Sequence, residues 1–196
     1  IGNYLYSVPS GFLAPCSSNL ATQTVKKSTE HFNTKLYTGN GATAQEISLD
    51  FNPDLVWIKS RTDTEHYSLV DRVRGDVALN SNQNIAEYAV VNFDFNTNNT
   101  VDVPVYANDY SMNTNSDNYV MWHWKAGGAT TTDVTESGSG TSRINASSRS
   151  VNTTAGFSII KYTGSNDEIS NGQHTKLNHG LSKAPDVVII KNRDDT

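Results

Sequence analysis

The sequence predicts an all-β protein, an antiparallel sandwich built in tandem modules. Three observations point there. Short runs of bulky and β-branched residues recur at brief intervals with polar turns between them. No stretch carries a long helical period. One motif occurs twice, first as Phe32 to Gly39 with Pro53 to Thr64, then as Phe157 to Gly164 with Pro185 to Thr196. The offset is about 125 residues, too long for a solenoid unit and near the size of a small domain.

The elements follow in order. Residues 1–27 stand outside the repeat and read as the end of a preceding domain and a linker, with a short strand at Tyr4-Leu5-Tyr6 and a turn at Val8 to Phe12. Residues 28–128 read as the first module. Thr34 to Thr38 is strand-like, and Asn40-Gly41 is a turn signal. Gln45 to Phe51 alternates, with Ile47, Leu49 and Phe51 on one face. Pro53 stands at a strand entry, where a missing N–H is tolerated. Leu55-Val56-Trp57-Ile58 is apolar without a break, which suits a central strand packed on both faces. Ser68 to Gly75 is a short element ending in a turn. Tyr88 to Phe95 and Thr100 to Tyr106 are two strands, joined through Asn96-Thr97-Asn98-Asn99 as a hairpin loop. Asn113 to Asn118 is a loop, and Tyr119 to Lys125 is the last strand before Gly127-Gly128. Residues 129–154 are rich in Ser, Thr and Gly and read as a flexible linker. Residues 155–196 read as the truncated start of a second, similar module.

Composition narrows the function. Ser, Thr and Asn make up about a third of the 196 residues, which suits exposed strand faces and turns. The net charge of −5 runs against nucleic-acid binding and against docking on anionic lipid. Cys16 is the only cysteine, so no internal disulfide forms, and it reads as a small buried hydrophobe. No apolar run approaches the ~20 residues of a membrane helix. No signal peptide is expected, and the start at Ile1 reads as part of a longer polypeptide.

Chemistry-bearing residues are few. Trp122-His123-Trp124 invites a sugar-stacking reading. Side chains alternate along a strand, so Val120, Trp122 and Trp124 share one face, and Tyr119, Met121 and His123 share the other. An apolar Val-Trp-Trp face is expected in the core, and so is Trp57, which is Ile189 in the second copy. Asp109, Asn113, Asn115 and Asp117, with Asn118, form an acidic and amide-rich loop, the one tentative ligand-contact site. Its oxygens fit Ca²⁺ chemistry, but turn chemistry explains them without metal. His174 and His179 are spaced poorly for zinc. No nucleophile elbow, phosphate loop or Cys–His pairing is present in the sequence. Asp54 with Asp71, or Asp94 with Glu87, are the carboxylate pairs a glycosidase would use, and nothing selects one. Asp54 and Asp186 follow prolines and are expected in turn geometry. Lys59 and Arg61, with Lys191 and Arg193, are expected on a solvated or interface-facing edge. Catalytic, cofactor and metal residues are therefore expected to be absent.

Several blocks together resemble a known group. They are Tyr37-Thr38-Gly39, Pro53 to Arg61, Asp71-Arg72-Val73-Arg74-Gly75, Asn115 to Gly128, Ala155 to Gly164, and His179-Gly180-Leu181 to Arg193. The chain is similar to the repeated concanavalin-A-like (laminin-G-like) modules in structural proteins of marine bacteriophages, many of them cyanophages. Pro9-Ser10-Gly11-Phe12 with Asn19-Leu20 is similar to the end of the SPRY-like domain that often precedes such modules. The resemblance implies a jelly-roll sandwich and a virion appendage, such as a tail fibre, on the particle exterior. It implies homo-oligomers (trimers in a fibre), contacts with other virion proteins and host attachment, including through glycan. It supplies no catalytic residue. Residues 79–112 depart from the pattern. The alternative reading is a carbohydrate-binding module of a secreted bacterial adhesin or polysaccharide-active enzyme, and a third is a depolymerase.

Overall fold

The computed structural model describes residues 24–106, 112–134, 143–144, 146–164 and 176–194. It is an all-β antiparallel sandwich, and the one helical element among the described residues is a 3₁₀ turn at Ser28–Glu30. The strands are β1 (Phe32–Thr38), β2 (Ala44–Ser48), β3 (Leu55–Ser60), β4 (Ser68–Asp71), β5 (Val77–Asn80), β6 (Tyr88–Ala89) and β7 (Asp94–Phe95). Then come β8 (Thr100–Pro104), β9 (Asn118–Trp124), β10 (Thr131–Val134), β11 (Arg143–Ile144), β12 (Ala146–Asn152), β13 (Phe157–Tyr162) and β14 (Lys176–Leu177). The two-residue strands β11 and β14 form a short parallel pair apart from the main sheets.

A six-stranded sheet runs in the order β1-β9-β3-β4-β5-β6 and faces a three-stranded sheet, β2-β8-β7. The core lies between them. Val56, Ile58, Val70, Ala78 and Met121 from the first meet Ile47, Val101 and Val103 from the second, with Val90, Phe93, Met112 and Tyr119 filling the ends. Each is nearly dry, and burying a Val or Ile side chain contributes about 1.5–3 kcal/mol. The apolar run Leu55 to Ile58 is central, as its composition predicts, with β9 on one side and β4 on the other. Ile47 points inward from β2, which ends at Ser48 rather than running on to Phe51; Phe51 is buried beyond the strand end, against His123.

Three elements differ from the sequence reading. Tyr88 to Phe95 is not one strand. β6 belongs to the six-stranded sheet and β7 to the other, and the chain crosses between sheets at Val90–Phe93, with Asn92 at φ 64°. Val90 and Phe93 are buried at that crossing, which is why an apolar pattern continues through a break in pairing. Val77–Asn80 is an additional strand, short and carrying Ala and Asn, so it has little strand signature.

The stretch 129–154, expected as a flexible linker, contributes β10 and β12. With β13 these form a three-stranded sheet, β10-β12-β13. β12 and β13 pair antiparallel from Asn152↔Phe157 to Ala146↔Tyr162. Small polar residues serve here because the packing is tight. Ser148 and Ser150 are buried, and the Ser150 hydroxyl donates to the Ala126 carbonyl. Asn152 Nδ2 donates to the Lys125 carbonyl at 3.1 Å and lies 3.1 Å from His31 Nδ1. At Gly127 (φ 91°) a Cβ would run into the Val151 carbonyl oxygen. Cys16, the Tyr4–Tyr6 strand and the Pro9–Phe12 turn lie outside the described residues.

Candidate functional site

The aromatic residues of β1, β3 and β9 stand on the outer face of the six-stranded sheet. In β9 the dry residues are Tyr119, Met121 and His123, so Val120, Trp122 and Trp124 point outward and are half-buried. In β3, Val56, Ile58 and Ser60 point inward, while Leu55, Trp57 and Lys59 point outward. Trp57, Trp122 and Trp124, expected in the core from their size, are therefore on the opposite face. The facing sheet has three strands among the described residues, and the inward face of β9 is filled by Tyr119, Met121 and His123. One sequence signal marks this. Trp57 shares its face with Lys59, whose charge does not fit a core.

The strand register assembles these side chains into rows. Phe32, Trp124 and Leu55 lie side by side, then Thr34, Trp122, Trp57 and Leu69, then Leu36, Val120 and Lys59. The Trp57 and Trp122 rings are 5.6 Å apart, tilted by 56°. Phe32 lies 4.9 Å from Trp124, and Trp124 stacks on Phe157 at 6.1 Å. Lys59 Nζ sits 4.8 Å from the Tyr67 ring centre, a cation–π contact at one border. Phe32 and Leu36 are 41% and 57% exposed, so the face opens toward the β1 edge. Trp57 Nε1 is shielded from solvent yet has no hydrogen-bond acceptor in the protein.

The loop expected to contact ligand is tied to the segment 39–42. Asn113 is fully buried. Its Oδ1 accepts the Asn40 N–H at 2.9 Å, and its Nδ2 donates to Asn40 Oδ1 and the Ala42 carbonyl. The Asp117 carbonyl accepts the Gly39 N–H, and Thr62 Oγ1 donates to Asp117 Oδ1. Asn115 is exposed. The structure thus brings Asn113 and Asp117 together with the 39–42 turn as a clasp, and Asp109 lies outside the described residues. Among the described residues no group of three or more His, Cys, Asp or Glu side chains is arranged to hold a metal ion. His174 is outside them, and His179 Nδ1 accepts the Leu181 N–H.

Behind that loop sits a polar cluster the sequence does not announce. Glu65 is buried, and each carboxylate oxygen takes a hydroxyl, from Thr114 Oγ1 at 2.8 Å and Tyr119 at 2.7 Å. Burial raises the Glu65 pKa, and burial chiefly pushes Tyr119 up to about 12. Tyr37 stacks on Tyr119 at 5.1 Å and is raised by the same desolvation. Glu65 sits between strands with no neighbouring pattern, so only the inward parity of Tyr119 hints at a buried acceptor.

The carboxylates of a glycosidase reading are held elsewhere. Asp54 Oδ2 accepts the N–H groups of Ala126 at 2.7 Å and Gly128 at 3.1 Å, and Arg72 Nε lies 3.4 Å from Oδ1. Asp71 pairs with Arg74 at 2.5 Å. Glu87 takes Arg193 through both nitrogens, at 2.6 and 3.0 Å, and is held below its usual pKa mainly by that hydrogen bonding. Asp94 is exposed on β7. Lys59 stays with its own strand end, donating to the Ser60 carbonyl, whereas the second-copy counterparts Lys191 and Arg193 reach the Ile85 carbonyl and Glu87.

His123 is the remaining buried titratable group. Its ring lies 4.9 Å from Phe51, neither ring nitrogen has a hydrogen-bond partner, and burial lowers its pKa. No helix of the described residues is long and apolar enough to cross a membrane. No curated protein and no solved structure matches the chain. A family model does match it, over residues 27–196, and the chain belongs to that family, described as a domain of unknown function (DUF7483).

Proposed function

We propose that this chain is a non-enzymatic module of a bacteriophage virion appendage that attaches to a host surface by laying a glycan on the aromatic face of the six-stranded sheet. The observation that carries the reading is the outward placement of Trp57 and Trp122 beside Phe32 and Trp124. Aromatic faces pack against the apolar faces of sugar rings, and they bury area without a deep pocket. Affinity at one such face is weak, and it rises when modules or copies act together. In a fibre the natural assembly is a homotrimer, and its other partners are virion proteins.

The same face serves the alternative, a carbohydrate-binding module of a secreted adhesin or polysaccharide-active enzyme. A glycan array on the purified chain tests the shared step. We expect retention of a subset of glycans, and loss of about tenfold or more in affinity for Trp122→Ala and Trp57→Ala, in keeping with an aromatic anchor of ~1.4 kcal/mol or more. Binding unchanged in both variants, or hydrolysis of a surface polysaccharide by the chain, overturns the reading. A particle map locating the chain decides between appendage and secreted module.

A further inference from the structure

The outer face of the six-stranded sheet changes character along its strands. Its rows run from Trp124 and Leu55, through Trp122 and Trp57, to Val120 and Lys59. Arg61 adds one row more. Its N–H donates to the Asn118 carbonyl at 2.7 Å, so it continues the β3–β9 ladder, and its place in the chain keeps the outward parity of Trp57 and Lys59. One end of the face is therefore aromatic and the other cationic. Alternate residues of a strand lie about 7 Å apart, which sets Lys59 about 7 Å and Arg61 about 14 Å along the face from Trp57.

Neither positive charge is cancelled by a carboxylate. Lys59 Nζ donates to the Ser60 and Asp63 carbonyls, which are neutral, and sits 4.8 Å from the Tyr67 ring centre. Two such bonds leave one N–H of the ammonium for another acceptor. Arg61 is exposed, and among the described residues no ion pair includes either cation. The carboxylates of this region are engaged elsewhere. Asp63 Oδ1 accepts the Thr64 N–H at 2.6 Å, and Asp117 Oδ1 accepts the Thr62 hydroxyl at 3.2 Å. Glu65 is buried under the Thr114 and Tyr119 hydroxyls. Asp71, which lies beside Leu55 in the register, is held by Arg74 at 2.5 Å.

We propose that the ligand of this face is an anionic oligosaccharide, carrying uronate carboxylates or sulfate esters, with a sugar ring on Trp57 and Trp122 and charged groups at Lys59 and Arg61. This rests on the glycan reading above and narrows its substrate class. A guanidinium offers paired N–H donors that match two oxygens of a carboxylate or a sulfate, and an ammonium offers a point charge. Aromatic rings supply the stacking area, and the cations supply the choice among sugars of similar shape. The span from Trp57 to Arg61 calls for a chain of sugars, because a ring seated on the indoles leaves the guanidinium to a neighbouring residue of the ligand.

An array of matched pairs tests it. Uronate oligosaccharides stand beside their carboxyl-reduced forms, and sulfated galactan oligosaccharides beside their desulfated forms. We expect a charged member to bind about tenfold more tightly than its neutral partner at low salt, as a charge-assisted contact requires, with that preference falling about threefold or more on going to ~0.5 M NaCl. The pair that shows the preference identifies carboxylate or sulfate. Arg61→Gln and Lys59→Gln each cut the preference about threefold or more, and Arg61→Lys, which keeps the charge without the fork, cuts it less. Matching melting curves check that the variants keep the fold. Equal binding of charged and neutral members overturns the inference and leaves the glycan reading standing, whereas binding of no member overturns both. A charge preference that survives both substitutions also overturns it, because the charge is then read elsewhere.

Discussion

Replacing Asp54 tests how the sandwich is closed. Asp54 is 1% exposed and takes two backbone N–H groups on Oδ2. Alanine removes both bonds. Ala126 is fully buried, so its N–H is left without a partner, at about 1–3 kcal/mol. Gly128 is exposed and its N–H turns to water. Arg72 keeps the Pro53 carbonyl at 2.9 Å and the Asn96 carbonyl at 3.1 Å, so its charge is not orphaned. Losing the charge-assisted bond adds about 1.5–3 kcal/mol, and partial overlap of these effects leaves a net cost of about 3–4 kcal/mol. For a chain of this length that lowers Tm by about 6–16 °C. Asp54→Asn keeps an acceptor oxygen and costs about 1–2 kcal/mol. Urea unfolding followed by circular dichroism measures both. A loss below ~1 kcal/mol for Asp54→Ala would refute the argument, because such a value fits a residue whose bonds water replaces freely.

Further outcomes follow from other sites. His123 is depressed below 6.5 by burial, so between its folded pKa and 6.5 the unfolded chain binds more protons and stability falls as pH drops. His123→Phe, packed against Phe51, flattens that limb relative to the parent, and urea midpoints at pH 7.5, 6.5 and 5.5 read it. Glu65 acts in the opposite sense. Its raised pKa means the fold binds the extra proton above 4.5, so its ionisation costs stability as pH rises through the folded pKa. Accordingly, Glu65→Gln weakens the fold more at low pH than at pH 8. Arg193→Ala removes the Glu87 clasp and costs only about 1 kcal/mol globally, because both side chains are partly solvated. Hydrogen exchange at the Glu87 amide, which donates to the Arg193 carbonyl, rises about tenfold in that variant. Gly127→Ala meets both a positive φ and the Val151 carbonyl and costs about 2 kcal/mol or more, whereas Gly128→Ala, with open space around it, costs about 1 kcal/mol. Thermal melts that rank these two in reverse would contradict the tight approach of β12.

Much of the fold is legible where one physical requirement dominates. Leu55 to Ile58 reads as a central strand because four apolar residues in a row need cover on both faces. Ile47 reads correctly because it alternates cleanly with polar neighbours, whereas the same alternation carries the strand past its real end at Ser48 to Phe51. The Asn40-Gly41 turn is visible because Gly41 takes φ 70°. Legibility fails where two requirements compete. Both faces of β9 are apolar, and the larger one is the natural candidate for the core; only the shared parity of Trp57 and Lys59 argues otherwise. Val90 and Phe93 keep a strand's hydrophobicity while the chain changes sheets. Ser148 and Ser150 look like linker residues, and their burial depends on the approach of β12 to Ala126, a tertiary fact without local trace. The Asn113 and Asp117 loop shows the converse. Asn113 has the chemistry of a ligand site and spends it on the 39–42 segment, while the Asp117 carboxylate takes the Thr62 hydroxyl.

The seam between Lys125–Gly128 and β12 has a mechanical consequence. A polar tether would stretch under load and shield the sandwich. Here a pull applied beyond residue 152 reaches Ala126 through the Ser150 hydroxyl and Lys125 through the Asn152 amide. From there it passes through the Asp54 carboxylate into the start of β3. Tension is thus delivered to the middle of the largest sheet, where resisting it means shearing the β3–β9 and β3–β4 ladders along their length rather than unzipping an edge.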